Sequence, residues 1–343
     1  MVTLKQYVYV LMNDRKAGVF SRIVKPCLSI IAYIYGFLVA CHKFFYKVNL
    51  LKSYKSRIAV ISVGNITLGG TGKTPFVIML AENLARKNKK TAILIRGYGE
   101  DEWRMLEEKL GKRGVKVFVG KDRVKSARAA EGCGICAMIL DDGFQHRRLK
   151  RDIDIVLLDS TNPFGNRRLF PRGILREPMM SMKRAGIIVL TKADKGKDNI
   201  SAIERSLRKI APGKSILKAV HKPGRLLDVH RGSAEEAAFV NGKTVCALSG
   251  ICDPSYFRYT LEKIGAFIGL EFIFPDHYLY KAADLGRIFG ECMKKNINTI
   301  ITTEKDAVKL KKLLPGEPAL RILALSVELE LIRGKEEIDA LLT

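Results

Sequence analysis

The chain has 343 residues, 60 Lys or Arg against 35 Asp or Glu, and a formal net charge of +25. Its length suits about two domains, and 47 % hydrophobic residues supply each with an ordinary core. Such a charge calls for an anionic partner. Nucleic acid is set aside because basic residues are not interleaved with stacking aromatics and no nucleic-acid module signature appears; acidic lipid or a phosphorylated substrate remains.

The amino-terminal 57 residues hold ten Lys or Arg and one acid, Asp14. Within them Leu28–Cys41 is a 14-residue uncharged run, shorter than the roughly 20 residues a spanning helix needs. Arg22, Lys25, Lys43 and Lys47 flank it, with Tyr33, Tyr35, Phe44, Phe45 and Tyr46 as interfacial aromatics. The pattern predicts a helix, or a bent helical pair, lying in the headgroup region of an anionic membrane. A helix buried on the core and a single spanning helix are the alternatives.

An apolar run at 57–63 predicts a strand. The glycine-rich segment Thr67-Leu-Gly-Gly-Thr-Gly-Lys-Thr74 follows it and opens a predicted helix at 73–87. Strand, glycine loop and helix start are the setting of a phosphate-binding loop. Gly69, Gly70, Thr71 and Gly72 would wrap backbone N–H groups around a polyphosphate. Lys73 would reach the β- and γ-phosphates and Thr74 would hold Mg2+. Thr67 stands where that pattern begins with glycine. The helix is expected to bury Phe76, Val77, Leu80, Ala81, Leu84 and Ala85 on one face.

Further strands are expected at 91–95, 115–119, 135–140, 153–158 and 186–190. The first is followed by Arg96-Gly-Tyr-Gly99 and then Asp101-Glu102. A hydroxyl attacking a γ-phosphate needs a carboxylate to take its proton, and this pair is a candidate. Cys133-Gly-Ile-Cys136 has redox or zinc spacing without a second ligand pair, so it is read as filler before a buried strand. With seven Cys in all and no evident signal peptide, free thiols in a reducing cytosol are expected.

The strand at 135–140 ends in Asp141-Asp142-Gly-Phe-Gln-His146, an acid-ended strand of the Walker B kind, able to hold Mg2+. Asp159 is read as a turn residue. Thr191-Lys-Ala-Asp194 resembles a guanine-reading signature with Thr in place of Asn. It supports a competing reading, a regulatory or metallochaperone-type P-loop GTPase; a membrane-bound ATPase that positions partners is a third.

A polar stretch at about 222–243 reads as a connector. A second alternating series follows, with strands at 244–248, 270–274, 298–302 and 320–325 and helices at 255–265, 282–295 and 304–313. His277 lies in Phe274-Pro-Asp-His-Tyr-Leu-Tyr280, after a strand. The alternation predicts an α/β protein with mainly parallel sheets and ligands at the carboxyl ends of the strands.

Taken together these runs resemble the tetraacyldisaccharide 4′-kinases, the lipid A 4′-kinases of Gram-negative bacteria. The resemblance is carried by Ser62–Asn65 with the phosphate loop, Arg96–Gly99, Asp122-Arg123, Leu140–His146, Arg151-Asp152 and Pro171–Pro178. In the carboxyl half it is carried by Ser249–Pro254, Phe274–Tyr280 and Thr302–Ala307. It implies two α/β/α domains, the first P-loop NTPase-like, and a membrane-associated amino-terminal helix. The expected layout is a membrane-interface segment at 1–50, a nucleotide-binding kinase domain at 51–235 and a smaller α/β domain at 236–343 closing a cleft. It implies ATP and Mg2+, a lipid-linked disaccharide monophosphate as acceptor, and a peripheral place on the cytoplasmic face of the inner membrane. No obligate protein partner is evident.

By that resemblance Lys73 and Thr74 match the loop Lys and Mg2+ ligand, and Asp141 and Asp142 the Walker B pair. Asp101 matches the catalytic base and His277 the residue that orients it, with Asp142 as the alternative base. Arg176 and Glu177 match a polar pair near the phosphates.

Overall fold

The computed structural model describes residues 11–14, 19–97, 100–314 and 319–341, the side chains at 19, 20, 100, 101 and 341 excepted. In chain order the elements are α1 (Val19–Lys47), β1 (Ala59–Asn65), α2 (Lys73–Arg86), β2 (Thr91–Ile95), α3 (Glu100–Leu110), β3 (Lys116–Val119), α4 (Arg123–Glu131), β4 (Ala137–Asp141), β5 (Ile153–Asp159), β6 (Ile187–Thr191), α5 (Ile200–Ile210) and β7 (Ser215–Asp228). They continue with β8 (Ala234–Glu235), β9 (Thr244–Ser249), α6 (Pro254–Lys263), β10 (Phe267–Ile273), α7 (Ala282–Lys294), β11 (Thr299–Thr303), α8 (Glu304–Leu310), β12 (Arg321–Arg333) and α9 (Lys335–Leu341). The strands expected from the apolar runs form within a few residues of their expected bounds, except that β12, expected to end at 325, runs on to Arg333.

The chain divides into two compact units. The first comprises Met1–Arg96, Phe118–Ala219 and Leu331–Thr343. Its strands lie in the order β7-β6-β5-β1-β4-β2-β3, with β1 parallel to β4 and β5 and β6 parallel to β5 and β7. Strands buried on both faces read as continuous apolar runs, as in β2 and β6, where every residue is buried. α2 buries Phe76, Val77, Leu80, Ala81 and Leu84, the expected stripe, with Ala85 half-buried at its margin.

The second unit comprises Gly97–Val117 and Val220–Glu330. Its strands run β10-β9-β11-β12-β7, with β8 beside β7. The β9, β10, β11 and β12 pairs are parallel, and β8 is antiparallel. One core cluster is built around Cys246, Leu248, Ile288, Ile300 and Ile322, and another around Val245, Ala247, Leu261, Ile301 and Leu323. Alternate residues of one strand thus feed different clusters, the period-two signature of a sheet covered on both faces.

Several features depart from the expected layout. The boundary expected at 235/236 falls at 219/220, and α3, with Asp101 and Glu102, belongs to the second unit. Its Lys109 pairs with Glu304 at 2.6 Å, which ties it to α8. The stretch read as a connector begins inside β7, which runs through Lys222-Pro-Gly224. Gly224 is required there because a Cβ would stand 2.5 Å from Ser326 Oγ.

α1 is a single helix of 29 residues with Pro26 inside. At 1.5 Å per residue it is about 43 Å long. Ser21–Lys47 is long and apolar enough to cross a membrane, so the helix exceeds the 14-residue uncharged run on both sides. Ile23, Ile30, Ile31, Ile34, Phe37 and Leu38 are exposed along it. Another face meets the first unit. There Tyr35 OH donates to the Arg176 carbonyl at 2.8 Å, and Gly36 packs so closely that a Cβ would lie 2.8 Å from Leu169 Cδ1.

Candidate active site

The phosphate loop leaves β1 at its carboxyl end. Gly69 and Gly72 adopt φ of 115° and 76°, a region open to glycine and costly for residues with a Cβ. Gly72 caps α2 with no side-chain hydrogen bond, so the first-turn donors of α2 are served by no cap side chain. Lys73 and Thr74 are the first two residues of that helix.

Buried polar contacts fix the loop. Asn65, fully buried, donates from Nδ2 to Thr71 Oγ1 at 3.0 Å, and Thr191 Oγ1 donates to the Thr71 carbonyl at 3.0 Å. Gln145 Nε2 donates to the Asn65 carbonyl at 2.9 Å. The Pro171–Pro178 run lies alongside: Leu68 N–H bonds the Ile174 carbonyl and Arg176 N–H the Ile66 carbonyl, each at 2.7 Å. That pairing sets Arg176 beside the loop.

Register places Asp141, the last residue of β4, next to Val63, two residues before the end of β1. Asp142 follows in a left-handed conformation, φ 51°, which Asp tolerates. Its carboxylate accepts from Arg176 Nη1 at 2.9 and 3.0 Å, and Lys73 Nζ stands 3.5 Å away. Burial alone would raise its pKa; Lys73 and Arg176 together bring it below the usual value. Asp141, Asp142 and Thr74 offer hard oxygen donors of the kind Mg2+ takes, so the residues present fit that ion.

Glu177 is turned elsewhere. It is 3 % exposed and bonds Arg184 at 2.7 and 2.8 Å and Lys43 of α1 at 2.8 Å. Burial opposes its ionisation, yet Arg184 and Lys43 bring its pKa down to about 2. Arg176 and Glu177, adjacent in sequence, therefore serve different groups.

In the second unit a separate cluster forms. Lys305 Nζ lies 3.1 Å from Glu102 Oε1 and 3.2 Å from Asp276 Oδ1, and 3.1 Å from His277 Nε2. His277 Nε2 is 3.9 Å from Glu102 Oε1. Asp101 is in the first turn of α3, one residue before Glu102, but its side chain lies outside the described residues, as do Tyr98 and Gly99. Lys305 is the residue the motif reading passed over. The signal was present: it stands three residues past Thr302, in a polar run that ends an apolar strand.

Other motifs fall to structural roles. Asp159 accepts from Thr161 N–H at 2.8 Å and pairs with the buried Lys192. Thr191 is committed to the phosphate loop. Cys133 and Cys136 are free and exposed, and among the described residues no group of three or more His, Cys, Asp or Glu side chains gathers to hold a metal.

A glycine loop strung between a buried parallel strand and a helix start, beside a second strand that ends in acid, places the chain among the P-loop nucleoside-triphosphate-binding proteins. Its relatives narrow the class. The chain belongs to the tetraacyldisaccharide-1-P 4′-kinase family, whose model matches residues 24–343. A tetraacyldisaccharide 4′-kinase of Anaeromyxobacter dehalogenans (strain 2CP-C) is 37 % identical over 320 residues, covering 87 % of this chain and 84 % of that protein. One from Halothermothrix orenii is 34 % identical and covers 95 % of each. Among solved structures, the "apo" form of LpxK from Aquifex aeolicus in complex with ATP matches with a TM-score of 0.69 and 29 % identity, over 93 % of this chain and 98 % of that one. The GTPase reading gives way to this family, and with it the guanine-reading role of Thr191–Asp194.

Proposed function

We propose that this protein transfers the γ-phosphoryl group of ATP to the 4′-hydroxyl of a tetraacylated disaccharide 1-phosphate at an anionic membrane surface. The observation that carries the reading is the phosphate loop, stapled by Asn65 and Thr191 and flanked by the Lys73, Asp142 and Arg176 charges. Lys73 and the backbone donors of Gly69–Gly72 bind and orient the donor's phosphates, and Arg176 adds charge beside them. Thr74, Asp141 and Asp142 would hold Mg2+, which supplies charge neutralisation on those phosphates.

Asp101 takes the proton of the 4′-hydroxyl as the new O–P bond forms and ADP departs; His277 orients it. Asp142 is the weaker candidate for base. Burial notwithstanding, Lys73 and Arg176 hold its carboxylate below the usual range, and such a group is a poor proton acceptor.

α1 lies on the membrane surface, on the cytoplasmic face, where an acylated acceptor would be presented. Support comes from its two sides. Residues in its middle and second half, Tyr35 and Lys43, bond the body of the first unit, while the large apolar side chains along it stay exposed.

The test is incubation of the purified protein with Mg2+, γ-labelled ATP and the lipid disaccharide monophosphate. A labelled bisphosphorylated lipid is expected; label found only in inorganic phosphate would overturn the reading. Asp101→Ala and His277→Ala should each lower kcat, and the double variant should cost clearly less than the sum of the two free energies.

A further inference from the structure

Arg176 is held at three points. Its N–H donates to the Ile66 carbonyl at 2.7 Å, one residue before the phosphate-loop run starts at Thr67. Its guanidinium grips the Asp142 carboxylate at 2.9 and 3.0 Å. Its carbonyl accepts from Tyr35 OH of α1 at 2.8 Å. The first two bonds belong to the nucleotide site. The third comes from a helix whose other side is apolar and exposed. Within one turn of α1, Ile34 and Phe37 are exposed, while Tyr35 and Gly36 meet the body of the first unit.

The stretch around Arg176 is packed from both sides. On the helix side, Gly36 lies against Leu169, and the Tyr35 ring meets Phe170 edge-on, with centroids 6.0 Å apart and planes at 78°. Phe170 N–H bonds the Leu175 carbonyl at 2.8 Å. On the loop side, Leu175 bridges to Thr67, and Leu68 N–H bonds the Ile174 carbonyl at 2.7 Å. Packing fixes the Tyr35 ring and therefore aims its hydroxyl. Burial, with Glu177 adding to it, raises the Tyr35 pKa above the usual phenol value, so the group keeps its proton and donates. A carbonyl that loses such a donor is driven to find another by shifting its peptide.

We propose that Tyr35 is a positioning residue for the nucleotide site: by holding the Arg176 carbonyl it sets the point from which that guanidinium reaches Asp142 and the donor's phosphates, and so links the seat of the amino-terminal helix to nucleotide binding. The proposal rests on the reading of Arg176 as a charge beside those phosphates. Position matters because a guanidinium delivers its strong hydrogen bonds only where its planar fork is aimed. Lys73, 3.5 Å from the same Asp142 carboxylate, shares the setting that Arg176 provides.

The test is a double-variant cycle on the full-length protein in detergent micelles, read by calorimetric binding of a non-hydrolysable ATP analogue with Mg2+. Tyr35→Phe keeps the ring against Phe170 and removes one oxygen. It should weaken binding about fivefold, the worth of one neutral hydrogen bond. Arg176→Met should weaken it on the order of tenfold or more. In the Arg176→Met background, Tyr35→Phe should add less than about twofold. Lys43→Met loosens the same helix through Glu177 instead of Arg176. It should lower Tm at least as much as Tyr35→Phe while binding stays within about twofold of the wild type. Tyr35→Phe should sediment with acidic vesicles as the wild type does, because its hydroxyl faces the protein.

A Tyr35→Phe protein that binds the analogue as tightly as the wild type overturns the proposal. So does the same loss in the Arg176→Met background, or an equal loss in Lys43→Met; either would mean that loosening α1 weakens binding without passing through Arg176. Failure of the underlying reading looks different: Arg176→Met would itself bind the analogue as the wild type does.

Discussion

Lys43 Nζ of α1 lies 2.8 Å from Glu177 Oε2, so the amino-terminal helix is bonded to the residue that follows Arg176. Arg184 shares the same carboxylate, and Arg147 stands 3.9 Å from it. Removing one cation leaves Glu177 compensated by the other two. Removing the anion leaves three cations facing one another in a buried place. Lys43→Met is therefore expected to cost about 1–2 kcal/mol of stability and Glu177→Ala about 3 kcal/mol or more. Thermal unfolding in detergent checks the order; equal losses would mean that Glu177 is not the hub.

The same carboxylate sets an acid limit. Burial would raise its pKa, but Arg184 and Lys43 lower it from 4.5 to about 2. A group depressed on folding adds stability that is complete above its unfolded value and drains away as pH falls toward the folded one. Stability should fall between about pH 4.5 and pH 2, by on the order of 3 kcal/mol from this group. Glu177→Gln, less stable at neutral pH, should show a shallower decline across that window. Unfolding free energy measured at several acid pH values decides it, and parallel slopes would reject the assignment.

Much of this site was legible in the sequence, for identifiable reasons. A phosphate loop is a local device, so Gly69 to Thr74 carry their own geometry, and an acid after an apolar strand, as at Asp141, marks a strand end beside it. Glu177 shows where local reading stops. Its neighbour Arg176 faces the loop, and Lys43, distant in sequence, together with Arg184, seven residues on, turns Glu177 away. The unit to which α3 belongs was hidden for the same reason, since Lys109 and Glu304 meet across 195 residues. β7 was missed because Lys222-Pro-Gly224 reads as a turn, while in the fold Gly224 accommodates Ser326.

Gly64 offers a steric test of the loop's foundation. A Cβ there would lie 2.6 Å from Phe144 Cβ and 2.7 Å from the Phe144 backbone nitrogen, and neither can yield without moving the turn after Asp142. Gly64→Ala should lower Tm by several degrees, the equivalent of about 1–3 kcal/mol of overpacking, and should weaken nucleotide binding. Gly213→Asn is the control: its φ is +73°, with nothing within 4 Å of a Cβ, and Asn accepts that conformation. A Gly64→Ala protein as stable as the control would contradict the close packing.

Lys73 should matter for charge at one point and not for stability at large. Its ammonium is 3.5 Å from Asp142, and Arg176 holds the same carboxylate when Lys73 is gone. Lys73→Ala should fold, keep its membrane binding and lose on the order of 100-fold or more in kcat. Lys73→Arg should recover little, because a planar fork does not replace a compact point charge in a closed loop. Turnover near that of the wild type in a folded Lys73→Ala protein would remove the loop from the reaction.

The membrane reading is best tested on the exposed side of α1. Deleting residues 1–50 would also remove Leu11 and Met12, both buried, and the Tyr35 and Lys43 bonds, so lost binding would be confounded with lost packing. Ile30, Ile34 and Phe37 are 62 %, 55 % and 68 % exposed and follow the helical repeat. A Glu at any of them touches no core contact and places an anion against an acidic surface. Ile30→Glu, Ile34→Glu and Phe37→Glu should each leave Tm within a degree or two, since surface changes move stability by about 0.5 kcal/mol or less. Each should release the protein from vesicles containing acidic phospholipid, because the variant loses buried apolar area and gains repulsion. Added salt should weaken wild-type binding in part, with the exposed Arg22 and Lys47 supplying the screened portion. Sedimentation with vesicles of acidic and of zwitterionic lipid separates the two contributions. If the three charged variants sediment with acidic vesicles as the wild type does, this face of α1 does not meet the membrane.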